Sequence, residues 1–177
     1  ICTQFFNLGV DVITTGNHVW DQREIINYIV KEPRLLRPLN YPQHTPGEGF
    51  GIFEARNGIK ILVGQVMGRL FMESLDDPFV SMDKLLSKYK MGEAVNCAVV
   101  DVHAEATSEK MAIGQYLDGR VSMVVGTHSH VPTADAQILS RGTAYQTDLG
   151  MCGDYDSVIG MQQDAAIGRF SRRMPSE

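Results

Sequence analysis

The sequence predicts an α/β fold in which central β-structure is covered by helices on both faces. Strand-like and helix-like segments alternate along the chain, and the strand-like ones are apolar at nearly every position, as strands buried on both sides must be. With 177 residues, 44% of them hydrophobic and 21% charged, the chain has enough apolar material for one real core.

The elements follow in order. Residues 2–8, "CTQFFNL", read as the last turns of a helix that Gly9 closes. "VDVIT" at 10–14 is a short β-branched strand. Asp21 with Glu24 has the form of a capping box, and Ile25, Ile26, Ile29 and Val30 set an apolar stripe at helical spacing until Pro33. Residues 34–58 carry many Pro and Gly and predict a long loop with little regular structure. "IKILVGQV" at 59–66 is a buried strand, and Asp77-Pro78 starts a helix whose stripe is Phe79, Met82, Leu85, Leu86 and Tyr89. Strands at 95–102, 121–125 and 143–148 follow, with a helix over about 106–118 between the first two and a last helix at 161–170.

Composition excludes several classes of function. The formal net charge is -5 and the 16 Lys and Arg are scattered, which argues against long nucleic acid as a partner. Cys2, Cys97 and Cys152 form no C-x-x-C pair and are odd in number, which fits a reducing, cytoplasmic setting better than a secreted disulfide framework. No apolar run approaches the ~18 residues of a membrane span, so no membrane partner is expected. The opening at Ile1, inside what reads as a helix, suggests a fragment.

The histidines point to a site. His18, His103, His128 and His130 each lie just past the carboxyl end of a predicted strand, and only His44 falls in an ordinary loop. Open α/β sheets bind ligands at that edge, where the connecting loops converge. Any one of these residues alone is more simply a structural histidine; together they imply a shared crevice. Imidazole is a common nitrogen ligand for transition metals, and in an extended segment residues two apart face the same side. His128 and His130 in "GTHSH" therefore suit one ion held jointly or two adjacent ions. Asn17 adds an amide oxygen beside His18, although taken alone it is more simply a turn residue in a Gly-Asn loop. After His103, "EATSEK" offers Thr107, Ser108 and Lys110 as phosphate or sugar contacts, against a plain helix start.

The motifs "GNHVWD" at 16–21, "DVHAEATSEK" at 101–110 and "GTHSHV" at 126–131 resemble, in order and spacing, the blocks of calcineurin-like metallophosphoesterases. The longer "HAEATSEK" and "THSHVPTAD" stretches, with "DDPF" at 76–79 and "TAYQTDLGMCGDYDSVIGM" at 143–161, are similar to the bacterial YmdB-type phosphodiesterase family. This resemblance implies an αββα layered sandwich and a metal-dependent phosphodiesterase acting on small phosphodiesters such as 2′,3′-cyclic nucleotides. It also implies two metal ions, of iron, manganese or zinc, with a hydroxide bridging them as the attacking group. By motif position Asn17, His103 and His128 would hold one metal and His130 the other, and His18 would be the free catalytic imidazole.

The family pattern also has an N-terminal strand ending in an Asp ligand and a block with a bridging Glu or Asp, and neither precedes Ile1. The expectation is thus a single domain over 1–177 without the family's N-terminal and C-terminal strands. Its matched ligands are all neutral, so two cations would sit together with no anion between them. Asp101, Glu105, Asp148 and Asp21 are the nearby carboxylates that could substitute, and the sequence does not choose among them. The alternative reading is a non-catalytic or truncated scaffold that serves as a binding or regulatory module. Trp20 and the loop 34–50 suit either a substrate rim or a contact between copies, which leaves a homo-oligomer open.

Overall fold

A computed structural model describes residues 1–172. Its centre is a six-stranded mixed sheet built from β3 (Phe50–Glu54), β4 (Lys60–Met67), β5 (Cys97–His103), β6 (Met123–Thr127), β7 (Gln137–Ile138) and β8 (Ala144–Gln146). The strand order is β3-β4-β5-β6-β8-β7. The four inner strands run parallel, and β3 and β7 close the edges antiparallel. A second, two-stranded parallel ladder pairs β1 (Ile13–Thr14) with β2 (Leu35–Leu36).

Parallel neighbours need long crossovers, and these are the helices the apolar stripes predict. Asp77 caps α3 (Pro78–Lys88) by accepting the N–H groups of Phe79 and Val80, and Pro78 occupies the first turn, where its missing N–H costs nothing. Its inner face is Met82, Leu85 and Leu86. Helix α4 (Thr107–Leu117) buries Ile113 and Leu117. Both pack on the even-numbered strand residues Leu62, Val66, Ala98, Val100, Val102 and Val124 to form the main core.

The other face of the sheet is covered chiefly at its carboxyl end. There the β1–β2 ladder docks through Gly16 N–H on Gln65 Oε1 (2.9 Å) and Thr14 hydroxyl on Asp101 Oδ2 (2.8 Å). Helices α1 (Cys2–Asn7) and α2 (Ile25–Ile29) pack against this ladder in a second core with Val19, Leu35, Tyr41 and Met67. The layers are helices, large sheet, small sheet and helices, which is the layered α/β sandwich with a central mixed sheet that the sequence predicts. Toward the amino ends of the strands, Val63, Val99 and Val125 remain half-buried on this second face. No helix among the described residues is long and apolar enough to cross a membrane.

Two local expectations fail. Residues 34–58 contain β2 and the five-residue edge strand β3, so the segment is more regular than its Pro and Gly suggest. The capping box at Asp21 and Glu24 does not form: α2 starts at Ile25 with no side-chain cap, and the Asp21 carboxylate pairs with His18 instead.

Candidate functional site

At the carboxyl edge of the sheet, β5 delivers His103 and β6 runs into His128. Asn17 arrives from the other side, on a single 3₁₀ turn (Gly16–His18) after β1. Gly16 has φ +66 and lies against the His103 ring, where a Cβ would overlap the imidazole. That close approach puts Asn17 Oδ1 2.7 Å from His103 Nε2. On its other side, His103 Nδ1 is 2.9 Å from the Thr127 hydroxyl, which donates to Asp101 Oδ1 at 2.8 Å. Asp101 also accepts from Thr14 and, at 2.6 Å, from Gln65 Nε2. A continuous polar chain therefore links Asn17, His103, Thr127 and Asp101 beneath the crevice.

Burial sets the protonation of this chain. It lowers the His103 pKa to about 3, with the charges of His128 and Lys110 acting in the same direction, so the imidazole is neutral and its single N–H serves one of its two contacts, to Asn17 or to Thr127. Burial likewise pushes the Asp101 carboxyl above its ordinary value, against its three hydrogen-bond donors.

The loop that carries "GTHSH" is built on a buried ion pair. Lys110 Nζ donates to Asp148 Oδ2 at 2.6 Å with both side chains enclosed. The Ser129 N–H donates to the same oxygen at 3.0 Å and the Gly150 N–H to Oδ1 at 2.8 Å. Burial opposes ionisation of Asp148, but the ammonium and these N–H groups outweigh it and hold the carboxyl below its usual range. Gly126 lies so close to the Thr147 carbonyl oxygen that any Cβ would overlap it.

The two histidines of that loop meet different partners. His128 has φ +104 and His130 φ +65, so the segment is not the extended strand that would place residues two apart together. The His128 ring meets the His103 ring edge to face at 4.9 Å, and its Nε2 lies 3.0 Å from Glu105 Oε2. His130 is exposed and turns its Nδ1 to the Ile159 carbonyl at 2.9 Å. His18 stands on the surface with Nδ1 2.8 Å from Asp21 Oδ2. Thr107 and Ser108 are exposed at the start of α4, whereas Lys110, expected beside them, is enclosed and committed to Asp148.

This geometry corrects the expectation of a dinuclear centre. Among the described residues, no three or more His, Cys, Asp or Glu side chains are grouped so as to hold a metal ion. The expected donors face protein partners, and each candidate carboxylate is engaged elsewhere: Asp101 with two hydroxyls and an amide, Glu105 with His128, Asp148 with Lys110 and Asp21 with His18. The residues present do not fit two metal ions, so the predicted metal-bridging hydroxide, the iron, manganese or zinc cofactor and the metal-dependent enzyme activity are not supported. Sequence reasoning also missed the roles of Thr14, Gln65 and Thr127, which only the sheet register brings together.

Comparison with known proteins places the scaffold. A family model described as YmdB-like protein matches residues 1–177. The chain is 48% identical over 167 residues to the 2′,3′-cyclic-nucleotide 2′-phosphodiesterase of Bacillus subtilis strain 168, covering 94% of this chain and 62% of that protein. A crystal structure of a hypothetical protein from Thermus thermophilus superposes with TM-score 0.91 at 48% identity, covering 99% of this chain and 68% of that one. The structure of a phosphatase from Mycoplasma pneumoniae gives 0.88 at 35%, covering 99% and 63%. The chain spans 58–62% of the length of the curated relatives it matches. Family model, sequence identity and superposition agree, and the chain belongs to the YmdB-like family of calcineurin-like phosphoesterases.

Proposed function

We propose that this chain is a binding module on a phosphoesterase scaffold, holding a small phosphate-bearing ligand at the imidazole-lined carboxyl edge of the sheet without metal-dependent hydrolysis of its own. The observation that carries this reading is that no group of metal-ligating His, Cys, Asp or Glu side chains forms among the described residues, while Asn17 lies against His103, His128 against Glu105 and His130 against the Ile159 carbonyl.

Ligand class is supported by what stays open there. The N-cap of helix α4, Ala106, offers no side-chain cap, and the Glu109 N–H already donates to the Ala106 carbonyl, so it is the Thr107 and Ser108 N–H groups and their exposed hydroxyls that can meet an anion. His18, exposed and paired with Asp21, supplies a further imidazole on the rim. The Bacillus subtilis relative is named for action on 2′,3′-cyclic nucleotides, and a nucleotide-sized phosphate ester is the corresponding ligand here.

Calorimetric titration with adenosine monophosphate, with and without a chelator, tests the reading. Affinity should not change with chelator and should fall about ten-fold in a Thr107→Ala, Ser108→Ala variant, the scale of two lost hydrogen bonds. Binding that disappears with chelator, or turnover of a 2′,3′-cyclic nucleotide on adding manganese, would contradict it.

A further inference from the structure

Away from the histidine edge, a cleft of about 480 Å³ lies between α3 and the segment that follows β2. That volume falls within the roughly 300–1,000 Å³ of small-molecule sites. None of its lining residues belongs to the carboxyl-edge site. Its apolar lining is Leu39, Phe50, Leu85 and Tyr89, with the Phe50 and Tyr89 rings packed at 5.4 Å.

The wall facing the helix is fixed by two buried polar side chains. Asn40 is 1% exposed; its amide donates to the Met67 and Asp76 carbonyls, both at 2.9 Å, and accepts the Met67 N–H at 2.8 Å. Arg37 is 7% exposed and donates to the carbonyls of Pro38 (2.9 Å), Thr45 (3.2 Å) and Pro46 (3.1 Å), with no carboxylate partner among the described residues. Between these anchors the segment presents Tyr41 and Gln43 to the cleft. Binding residues are found disproportionately on loops that a rigid scaffold positions in this way.

Tyr41 is the group the fold leaves unfinished. Its hydroxyl is the one buried side-chain polar atom among the described residues with no hydrogen-bond partner. Trp20 meets its ring edge to face, but an indole N–H only donates. Burial pushes the phenol above its ordinary pKa, so the O–H proton is present and lacks an acceptor. A buried donor in that state is unfavourable for folding alone and calls for a partner. On the helix side, Lys84 and Lys88 are exposed one turn apart, a spacing at which like charges repel, and neither is ion-paired among the described residues. Asp76 is the one carboxylate in the lining, so the cleft carries a single net positive charge.

We propose that this cleft is a second binding site, for a small organic acid with an apolar body and one carboxylate. The body lies against Leu39, Phe50, Leu85 and Tyr89, and the carboxylate meets the charge of the lysine pair and accepts the Tyr41 O–H. The hydroxyl is enclosed, and the acid reaches it when the exposed lining side chains Gln43 and Lys84 turn aside. The net charge of the lining selects one negative charge, and the lack of arginine there favours a simple anion over a bidentate one.

The test titrates the full chain with octanoate, 3-phenylpropionate and octanamide, the uncharged analogue, by calorimetry and by the fluorescence of Trp20, the only tryptophan, which packs on Tyr41. Both acids should bind saturably at one per chain and perturb Trp20, and octanamide should bind about ten-fold more weakly than octanoate. Whichever acid binds more tightly identifies the body as chain or ring. Tyr41→Phe, and Lys84→Gln with Lys88→Gln, should each weaken the acids about ten-fold, while Met123→Lys, on the other face of the sheet, should leave them unchanged. Tyr41→Phe should also keep or raise the urea midpoint, since it deletes an unpartnered hydroxyl. No saturable binding of either acid, equal affinity for octanoate and octanamide, or affinity unchanged in the Tyr41 or lysine variants overturns the site. A clear fall in the midpoint of Tyr41→Phe would show that the hydroxyl serves the fold, and would overturn it as well.

Discussion

Single residues decide the shape of the edge, and Gly126 is the clearest case. A methyl group there would collide with the Thr147 carbonyl oxygen, a backbone atom that cannot swing aside. Gly126→Ala should cost about 3 kcal/mol in urea denaturation, against almost nothing for Gly153→Ala, whose Cβ would meet only the Met151 sulfur at 3.8 Å. His103 makes a pH prediction. Its imidazole takes a proton near 6.5 when unfolded but at about 3 when folded, so between those values the unfolded chain binds more protons. The stability contributed by neutral His103 is present above about 6.5 and is lost as the pH falls toward 3. Asp101 acts in the opposite sense, because its raised folded pKa gives stability that is lost as the pH rises through it. Denaturation curves from pH 6.5 to 5.5 should therefore fall less steeply with pH in His103→Gln than in the native chain. The histidines at the strand ends were legible in the sequence because a strand's carboxyl end can be read from where its apolar run stops. The direction of His128 and His130 was not, since positive φ at two non-glycine residues reflects the tertiary anchor on Ser129 rather than any local preference.

At the scale of elements, the Lys110–Asp148 pair joins α4 to the segment after β8, and the same carboxylate holds the loop after β6 through the Ser129 N–H. Removing one partner leaves a buried charge, so Lys110→Ala should destabilise by roughly 3–5 kcal/mol, while Lys110→Met with Asp148→Leu should lose less. Chemical denaturation distinguishes them, and the double variant should loosen the 128–130 loop, which loses the carboxylate that holds Ser129. The helices α3 and α4 and the strands β4, β5 and β6 were legible because stripe, cap and apolar run coincide in each. Strands β2 and β3 were not: β2 is two residues long, and β3 carries Gly51 in a segment whose prolines and glycines signal turns. Lys110 reads as a phosphate or sugar contact in "EATSEK", yet on α4 it lies on the buried side with Glu109, Ile113 and Leu117. Sequence distance hides its partner, 38 residues away.

For the whole molecule, one face of the large sheet is closed by α3 and α4 and the other is covered mainly where the β1–β2 ladder docks. Val63, Val99 and Val125 are half-buried on that second face and Met123 is 41% exposed. Strands apolar at every position predict two covered faces, and here the second face is covered most closely where the β1–β2 ladder docks. The open half should bind a fluorescent apolar dye such as ANS, and Met123→Lys should weaken that signal with a stability change within about 0.5 kcal/mol. The fold class and the edge that carries the site were legible from strand and helix alternation; the state of the site was not, because it depends on which partner each imidazole and carboxylate finds across the sheet. The central claim, that these partners leave a binding edge and not a metal centre, is tested most directly by metal content after saturation with manganese or iron and removal of unbound ion. Well under one metal per chain, equal in the native protein and in a His128→Ala, His130→Ala variant, is the predicted result; two metals per chain, lost in the variant, would contradict it.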